Sequence, residues 1–272
     1  MTATLTTPTD QRGPSRASRV RALATAETRL LLRNRTAVVN SVLLPLLLVA
    51  AIPFLGIGED IAGFGPTLVI SGAAVALVFL VYYNTVTTFV ARREDLTLQR
   101  MRTGELTGLE VLVATAAPSV LIALGQVLLT GVGVLAIGRW EAPTEYVLPL
   151  VALFAGAVLV VLLGAVSTAF TRTPESAQVT TFPFVMIALL LSGLMIPLAS
   201  MPDQLAQVAR LLPMTPVVEL LRLGLAGQAW DGATVDAAGA WAAGLQPLGV
   251  LVAWLLLGSL AARRWFRWAP RR

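Results

Sequence analysis

The sequence contains no cysteine, no histidine and no lysine. The lack of cysteine and histidine excludes a disulfide framework and any metal site built on thiolate or imidazole ligands. The lack of histidine excludes catalysis by a histidine general base, and the lack of lysine excludes a P-loop, in which a lysine contacts the bound phosphates. All 20 basic residues are therefore arginine, against 15 acidic residues.

Charged residues are also scarce. They make up 13% of the 272 residues, whereas 56% are hydrophobic; a soluble domain carries about 25% charged residues. Six stretches contain no Asp, Glu or Arg, namely residues 36–58, 61–91, 111–138, 146–171, 176–202 and 237–262. Helices of a large soluble core would keep a charged face, which these stretches lack.

Each charge-free stretch is long enough for one membrane-spanning helix, which needs about 20 apolar residues, and too short for two. The sequence therefore predicts an all-α, polytopic membrane protein with six transmembrane helices. The predicted spans are residues 37–57, 67–91, 111–137, 147–170, 177–199 and 245–262.

Arginine placement predicts the orientation. Seventeen of the 20 arginines lie in the N-terminal segment, the loops at 91–110 and 171–177, and the C-terminal tail. Because positive residues concentrate in cytoplasmic loops, both termini are predicted to be cytoplasmic. We interpret residues 1–16 as a disordered cytoplasmic tail, 17–262 as one transmembrane domain and 263–272 as a basic cytoplasmic tail.

Two predicted cytoplasmic segments have unusual patterns. Residues 17–35 form a basic amphipathic pattern that predicts a helix on the inner membrane surface. Glu27 lies on its apolar arc, and we expect it to pair with an arginine in residues 92–102. Residues 92–110, called here the coupling segment, combine dense charge with Leu96, Leu98 and Met101, a pattern that indicates docking of a partner.

The predicted outer stretch between spans 5 and 6 contains two short helical patterns. The first begins at Pro202 and Asp203, and the second covers residues 217–225. Within the second, Glu219 and Arg222 are spaced to pair at i and i+3. Both helices are too short to span, and we expect them to cap the outer face or to enter it as re-entrant helices.

The predicted spans contain no acidic or basic residue well inside the bilayer, where ion-coupled transporters and proton relays usually place one. No catalytic set of serine with histidine, paired aspartates or metal ligands can be assembled at that depth either. If the chain moves a solute uphill, the energy must come from another polypeptide.

Three runs of residues carry a family resemblance. Arg93–Gly104 reads R-E-D-L-T-L-Q-R-M-R-T-G, with Leu96 where the family usually has Gly and Gly104 where it has Pro. Ser192–Pro202 reads S-G-L-M-I-P-L-A-S-M-P, and Leu212–Pro216, L-P-M-T-P, precedes the E-L-L-R of Glu219–Arg222. In their order and spacing, residues 20–262 resemble the membrane subunit of an ABC-2 type exporter, including the daunorubicin-type drug-resistance permeases of high-GC bacteria.

The resemblance implies a permease that moves an apolar or amphiphilic substrate outward across a bacterial plasma membrane. ATP and Mg would be bound by a separate ABC ATPase subunit, so that this chain holds no cofactor and is not itself an enzyme. A second permease copy or a paralogue would complete the path through the lipid bilayer. Drug, lipid, glycan and peptide substrates all remain open, and nucleic acid is not expected as a partner.

The resemblance also implies roles for particular residues. Those expected to couple the chain to the ATPase are Arg92, Arg93, Glu94, Leu96, Leu98, Arg100, Met101, Arg102, Glu110 and Glu27. Those expected to line the substrate path are Phe79, Tyr82, Tyr83, Asn84, Phe182, Phe184 and Met186. Glu219 and Arg222 belong to the outer re-entrant helix.

Two alternatives stay open. The first is a membrane anchor or assembly scaffold without a transport role. The second is an ABC importer subunit, although the cytoplasmic signature of that family, E-A-A followed by Gly and I-x-L-P, does not occur here.

Overall fold

The computed structural model describes residues 16–33, 47, 51, 63–98, 107–266 and 268. In these residues the regular structure is helical and no strand occurs; Gln228 and Thr234 form an isolated antiparallel bridge. The α-helices are α1 (Arg16–Arg33), α2 (Phe64–Val75), α3 (Asn84–Glu94), α4 (Gly108–Ala136), α5 (Val147–Ser167), α6 (Ala177–Leu191), α7 (Asp203–Arg210), α8 (Thr215–Ala226) and α9 (Ala237–Trp265). The all-α prediction is confirmed for this part of the chain.

Four helices are long and apolar enough to cross a membrane. They are Phe64–Glu94, Gly108–Ala136, Val147–Ser167 and Ala237–Trp265, and they correspond to predicted spans 2, 3, 4 and 6. Predicted span 5 appears as α6, an apolar helix of 15 residues. Predicted span 1, residues 37–57, falls almost wholly outside the described residues. The chain is thus a multi-pass membrane protein with four candidate spans in its described part.

The helix Phe64–Glu94, called here the central helix, lies at the middle of the bundle. Buried residues make up 83% of its most apolar window, against 17% for α4 and 22% for α9. Helices α4, α5, α6 and α8 all pack against it. Small residues of the central helix allow the neighbouring helices to pack closely against it. A Cβ added to Gly72, for example, would lie 3.2 Å from the Thr130 hydroxyl oxygen of α4.

The central helix is not α-helical throughout. Residues Ala76–Tyr83, between α2 and α3, form a π-helical segment of eight residues. Long π-helical segments are rare, and those that occur are frequently found at functional sites. This one contains three of the residues predicted to line the substrate path.

The long helices alternate in direction, so their ends gather at two opposite ends of the bundle. Arg93 reaches the C-terminal end of α5, and Phe266, just beyond α9, contacts Phe89 of α3; we call this the Arg93 end. At the other end, called the Arg139 end, the backbone of Arg139 lies beside Gly65. The described parts of three segments predicted to be cytoplasmic, at 91–110, 171–177 and 263–272, therefore meet at one end of the structure.

The helix boundaries follow local signals. Thr107 and Glu110 form a capping box at the start of α4, as their spacing predicts. The side chain of Asp236 caps α9, which begins at Ala237, eight residues before the predicted span. Helix α6 ends at Leu191, eight residues before the predicted end of span 5 at residue 199, and Gly193 then adopts a left-handed φ of 81°.

The two short helices α7 and α8 lie between α6 and α9, as predicted. Helix α8 is buried along nearly its whole length and packs against α5, α9 and α2. Helix α1 lies against α4, with Leu23 and Ala24 half-buried and Arg21 and Arg29 exposed. Entry of α7 and α8 into the membrane stays a prediction.

Candidate functional site

Arg93 connects the start of the coupling segment to the end of another span. Its side chain is only 1% exposed. One guanidinium nitrogen donates to the Thr168 carbonyl at 2.8 Å, and the second donates to the carbonyls of Thr171 at 2.7 Å and Arg172 at 3.2 Å. Since the last carbonyls of a helix lack intrahelical partners, Arg93 satisfies the C-terminal end of α5 and the turn that follows.

Leu96 and Leu98 have opposite environments, although both were expected to be apolar anchors for a partner. Leu98 is fully buried within the chain, so it offers no surface to a partner in this conformation, and its coupling role stays a prediction. Leu96 is 42% exposed and has a φ of 58°. For a residue with a Cβ, this left-handed conformation is unfavourable by roughly 1–2 kcal/mol. Leu96 is therefore an exposed apolar residue that is held in a strained backbone conformation, whereas Leu109, the other exposed leucine of the described coupling segment at 67%, lies in the regular first turn of α4.

The other expected coupling residues are only partly described. Glu94 is exposed and Arg92 is half-buried. The Glu110 carboxylate accepts hydrogen bonds from the Thr107 amide at 2.7 Å and the Thr107 hydroxyl at 2.9 Å, so it serves the cap of α4. Arg100, Met101, Arg102 and the side chain of Glu27 lie outside the described residues, and the Glu27 pairing stays a prediction.

Aromatic residues close the Arg93 end. The rings of Phe89 and Phe266 meet edge to face at 5.6 Å, and those of Phe266 and Trp268 at 4.9 Å. A Cβ added to Gly108 would lie 2.7 Å from the Trp268 ring. These contacts place the C-terminal tail against the first turn of α4, at the point where the coupling segment ends.

The expected path residues are only partly brought together. Tyr82, in the π-helical segment, donates to or accepts from the Ser167 hydroxyl at 2.9 Å, and its ring lies 4.3 Å from that of Phe184 in α6. Phe182 is 58% exposed. The remaining expected residues are half-buried, namely Phe79, Tyr83, Asn84 and Met186. Tyr82 and Phe184 thus form one junction between the central helix and α6, while Phe182 lies on the surface.

Near the C-terminal end of α6, two other contacts replace the predicted pairing of Glu219 with Arg222. Glu219 accepts from the Nε of Arg210 in α7 at 2.9 Å, forming a salt bridge, and Arg222 donates to the Gly193 carbonyl at 2.7 Å. The guanidinium of Arg210 also lies 4.6 Å from the ring centroid of Trp230. Helix periodicity correctly places Glu219 and Arg222 on one face, but each side chain finds a better partner on a different element.

The burial of Glu219 affects its ionisation. Burial raises the pKa of Glu219 above its ordinary value, and the hydrogen bond and charge of Arg210, with the charge of Arg222, oppose that rise. Thr215 adds a further link, because its hydroxyl donates to the Ala209 carbonyl at 2.6 Å and lies 3.3 Å from the Leu191 carbonyl oxygen. Helix α8 therefore holds the end of α6 through Thr215 and Arg222.

Sequence reasoning missed the roles of Arg210 and Arg93. For Arg210, a single arginine between apolar residues is a signal that it has a buried partner, but the sequence does not show which partner. Arg93 stands between Arg92 and Glu94 in a charged run, and nothing in that run distinguishes it as buried. Among the described residues, no group of three or more acidic side chains could hold a metal ion.

Comparison with protein-family models gives a match over most of the chain. A family model described as ABC-2 family transporter protein matches residues 55–263, which is more than half of the chain. No curated protein matches the sequence. The matched range begins before the central helix and ends within the last turns of α9.

Proposed function

Because the chain belongs to the ABC-2 family of transporter proteins, we propose that it is the permease subunit of an ATP-driven exporter of apolar or amphiphilic compounds. In this proposal the chain lies in a bacterial plasma membrane with both termini in the cytoplasm, so that the Arg93 end is cytoplasmic. A separate ABC ATPase binds and hydrolyses ATP with Mg, and this chain does neither. A second permease copy or a paralogue completes the transporter, and the drug-resistance subtype follows from the motif resemblance.

The observation that carries the proposal is Leu96. It is exposed, it follows the charged residues Glu94 and Asp95, and its backbone is strained. Strained residues persist where the surrounding structure holds them, and they cluster at functional sites. The family usually has glycine at this position, where a left-handed φ is free of strain. Leucine keeps this left-handed backbone conformation and adds an apolar side chain at the surface. Such a side chain fits a hydrophobic contact with the ATPase.

The neighbouring contacts supply a route for the force. A push on the coupling segment reaches α3 directly, because Arg93 lies in the last turn of α3. It reaches α5 through the hydrogen bonds of Arg93 to Thr168 and Thr171. It reaches α9 through the aromatic contacts of Phe89 and Phe266. Movement of packed helices between discrete arrangements is a general form of switching in proteins, and here three spans would move as one.

The junction of Tyr82 with Phe184 is the proposed lining of the path. It lies where the central helix meets α6, and α6 carries many exposed apolar residues, among them Val179, Phe182 and Leu190. An apolar lining suits an apolar substrate, and the hydroxyl of Tyr82, held by Ser167, adds one polar group. In this arrangement the exposed face of α6 would meet the second permease copy.

Two variants of one residue test the docking role of Leu96. Leu96→Gly removes both the strain and the apolar side chain, and we expect it to raise the thermal unfolding temperature while weakening co-purification with the ATPase subunit. Leu96→Asp should weaken co-purification without the gain in stability. The matched control is Leu205→Asp, because Leu205 of α7 is 43% exposed but lies away from the coupling segment.

Equal recovery of the ATPase with wild type, Leu96→Gly and Leu96→Asp would reject the docking role. ATP hydrolysis or substrate export by the purified chain alone would reject the proposal that energy comes from a separate subunit. Association with the ATPase without any stimulation of ATP turnover in proteoliposomes would favour a scaffold over a permease.

A further inference from the structure

Helix α4 has an inverted distribution of polar residues. Its buried residues include four polar ones, Thr115, Ser119, Gln126 and Thr130, each at most 9% exposed. At 100° per residue these four lie within an arc of about 60°. The opposite side carries apolar residues that are highly exposed, such as Leu128 and Leu135. In a membrane span, polar residues that face the protein interior mark sites or pathways.

The polar face of α4 lies against the central helix, and we call this interface the seam. The Thr130 side chain lies directly opposite Gly72. Because the two helices run in opposite directions, this register places Gln126 level with Ala76, the first residue of the π-helical segment. Along α4, the distance from Thr115 to Thr130 is about 22 Å at 1.5 Å per residue. The seam therefore offers polar groups over most of the thickness of a bilayer core.

Gln126 is the polar residue of the seam with the largest unmet hydrogen-bonding capacity. Its side chain is 2% exposed, and neither its amide nitrogen nor its amide oxygen has a hydrogen-bond partner within the described chain. The Thr115 hydroxyl in the same seam is also buried without a hydrogen-bond partner within the described chain. A buried polar group without a partner costs about 1–3 kcal/mol. Such a group in a native structure needs an explanation, and a bound water or ligand is one.

We propose that Gln126 binds an uncharged hydrogen-bonding group within the membrane-spanning layer, and that this group reaches it along the seam from the side of Thr115. The carboxamide offers both donors and an acceptor, and the polar residues of α4 in the seam are neutral, so the site favours a hydroxyl, an amide or water over an ion. Two sources fit this chemistry: water, and the polar end of an amphiphile. Binding of an amphiphile rests on the proposed function, whereas binding of water requires only that the chain spans a membrane.

The lack of cysteine in the sequence makes the site directly testable. Single cysteines replace Gln126 in the seam, Leu159 in the apolar core and Leu128 on the exposed face of α4. Leu159 is fully buried, so Leu159→Cys leaves a comparable void in an apolar setting, and Leu128, at 70% exposure, reports on lipid contact. Each variant is reconstituted alone in phosphatidylcholine vesicles and treated with hydroxyethyl methanethiosulfonate, which reacts with the thiolate.

Thiolates form where water is present, and apolar surroundings raise the thiol pKa by two units or more, so we expect Gln126→Cys to react about a hundredfold faster than either control. An octyl glucoside series below the solubilising concentration then distinguishes the sources. An unchanged rate assigns the site to water. A rate that falls several-fold with octyl glucoside assigns it to the polar end of an amphiphile. Both results support the site.

Reaction of Gln126→Cys as slow as that of Leu159→Cys would overturn the proposal. If Gln126→Cys does not insert, the near-isosteric Thr115→Cys gives the same comparison at the entrance of the seam, and slow reaction there overturns it equally. The experiment uses no ATPase subunit, so its failure leaves the permease proposal standing. Failure of ATPase binding would likewise leave the labelling result unaffected.

Discussion

Removing the guanidinium of Arg93 should loosen the Arg93 end of the bundle. The informative change is Arg93→Gln, which keeps a polar side chain but cannot bridge several carbonyls. Arg93→Lys keeps the charge without the planar fork that reaches both Thr168 and Thr171. Arg172→Gln is the matched control, because the Arg172 side chain is exposed and only its backbone carbonyl accepts from Arg93.

The magnitude follows from the three hydrogen bonds. Two of them are short, at 2.8 and 2.7 Å, and the third, at 3.2 Å, is weaker. A hydrogen bond from a charged donor contributes about 1.5–3 kcal/mol, so losing the two short bonds removes about 3–6 kcal/mol. This corresponds to a fall of roughly 10 °C in the unfolding temperature of a chain of this size. Arg93→Lys should show about half of that fall, because one ammonium group can replace one of the two short bonds.

The assay has a global and a local part. Thermal unfolding in a mild detergent should rank the stabilities as wild type and Arg172→Gln first, then Arg93→Lys, then Arg93→Gln. Hydrogen–deuterium exchange should locate the change, with faster exchange in the last turn of α5 and the turn after it, and little change in α8.

Two results would refute this reasoning. One is an Arg93→Gln variant whose unfolding temperature matches that of Arg172→Gln. The other is a loss of stability without faster exchange near Thr168, which would show that the effect arises elsewhere.

Three further predictions concern packing, pH and topology. Gly164→Ala should destabilise by about 1–3 kcal/mol through overpacking, because its Cβ would lie 2.9 Å from a buried threonine, whereas Gly249→Ala, with nothing within 4 Å, should be neutral or stabilising in unfolding experiments. Because burial raises the pKa of Glu219 above 4.5, the folded chain binds the proton of this carboxyl more tightly than the unfolded chain does. The resulting stabilisation of the folded chain is full below pH 4.5 and is lost as the pH rises through the raised pKa. A pH series of unfolding temperatures should show this fall in wild type and not in Glu219→Gln, and parallel curves would contradict it. Reporter fusions at Asp231 should read external and at Gly104 internal, and an external signal at Gly104 would contradict the predicted topology.

The sequence predicts most of the described helices because their signals are local. A run without charge is a property of neighbouring residues, and Thr107 with Glu110 forms its capping box within one turn. The end of α6 is different, since the charge-free run continues past Leu191 while the backbone turns at Gly193. Charge alone could not reveal that boundary. The π-helical segment likewise has no signature within its apolar run Ala76–Tyr83.

The candidate site was less predictable because its contacts join distant parts of the chain. Arg93 bonds to carbonyls 75 and 78 residues away, and nothing near it in the sequence identifies them. Leu98 has the same apolar character as Leu96, yet one is buried and the other exposed. Glu219 had a plausible partner three residues away, but Arg210, nine residues earlier, offers the hydrogen-bonded geometry.

The burial of the central helix has a consequence for biosynthesis. The helices that pack against it, α4, α5, α6 and α8, all follow it in the chain, and α8 ends only at Ala226. At about 5–20 residues per second, the ribosome needs on the order of ten seconds to proceed from Glu94 to the end of α8. During that interval the glycine- and alanine-rich surface of the central helix faces lipid or the insertion machinery. Its insertion and its final packing are therefore separate events, and the newly made helix must wait in the membrane for partners that the ribosome has not yet produced.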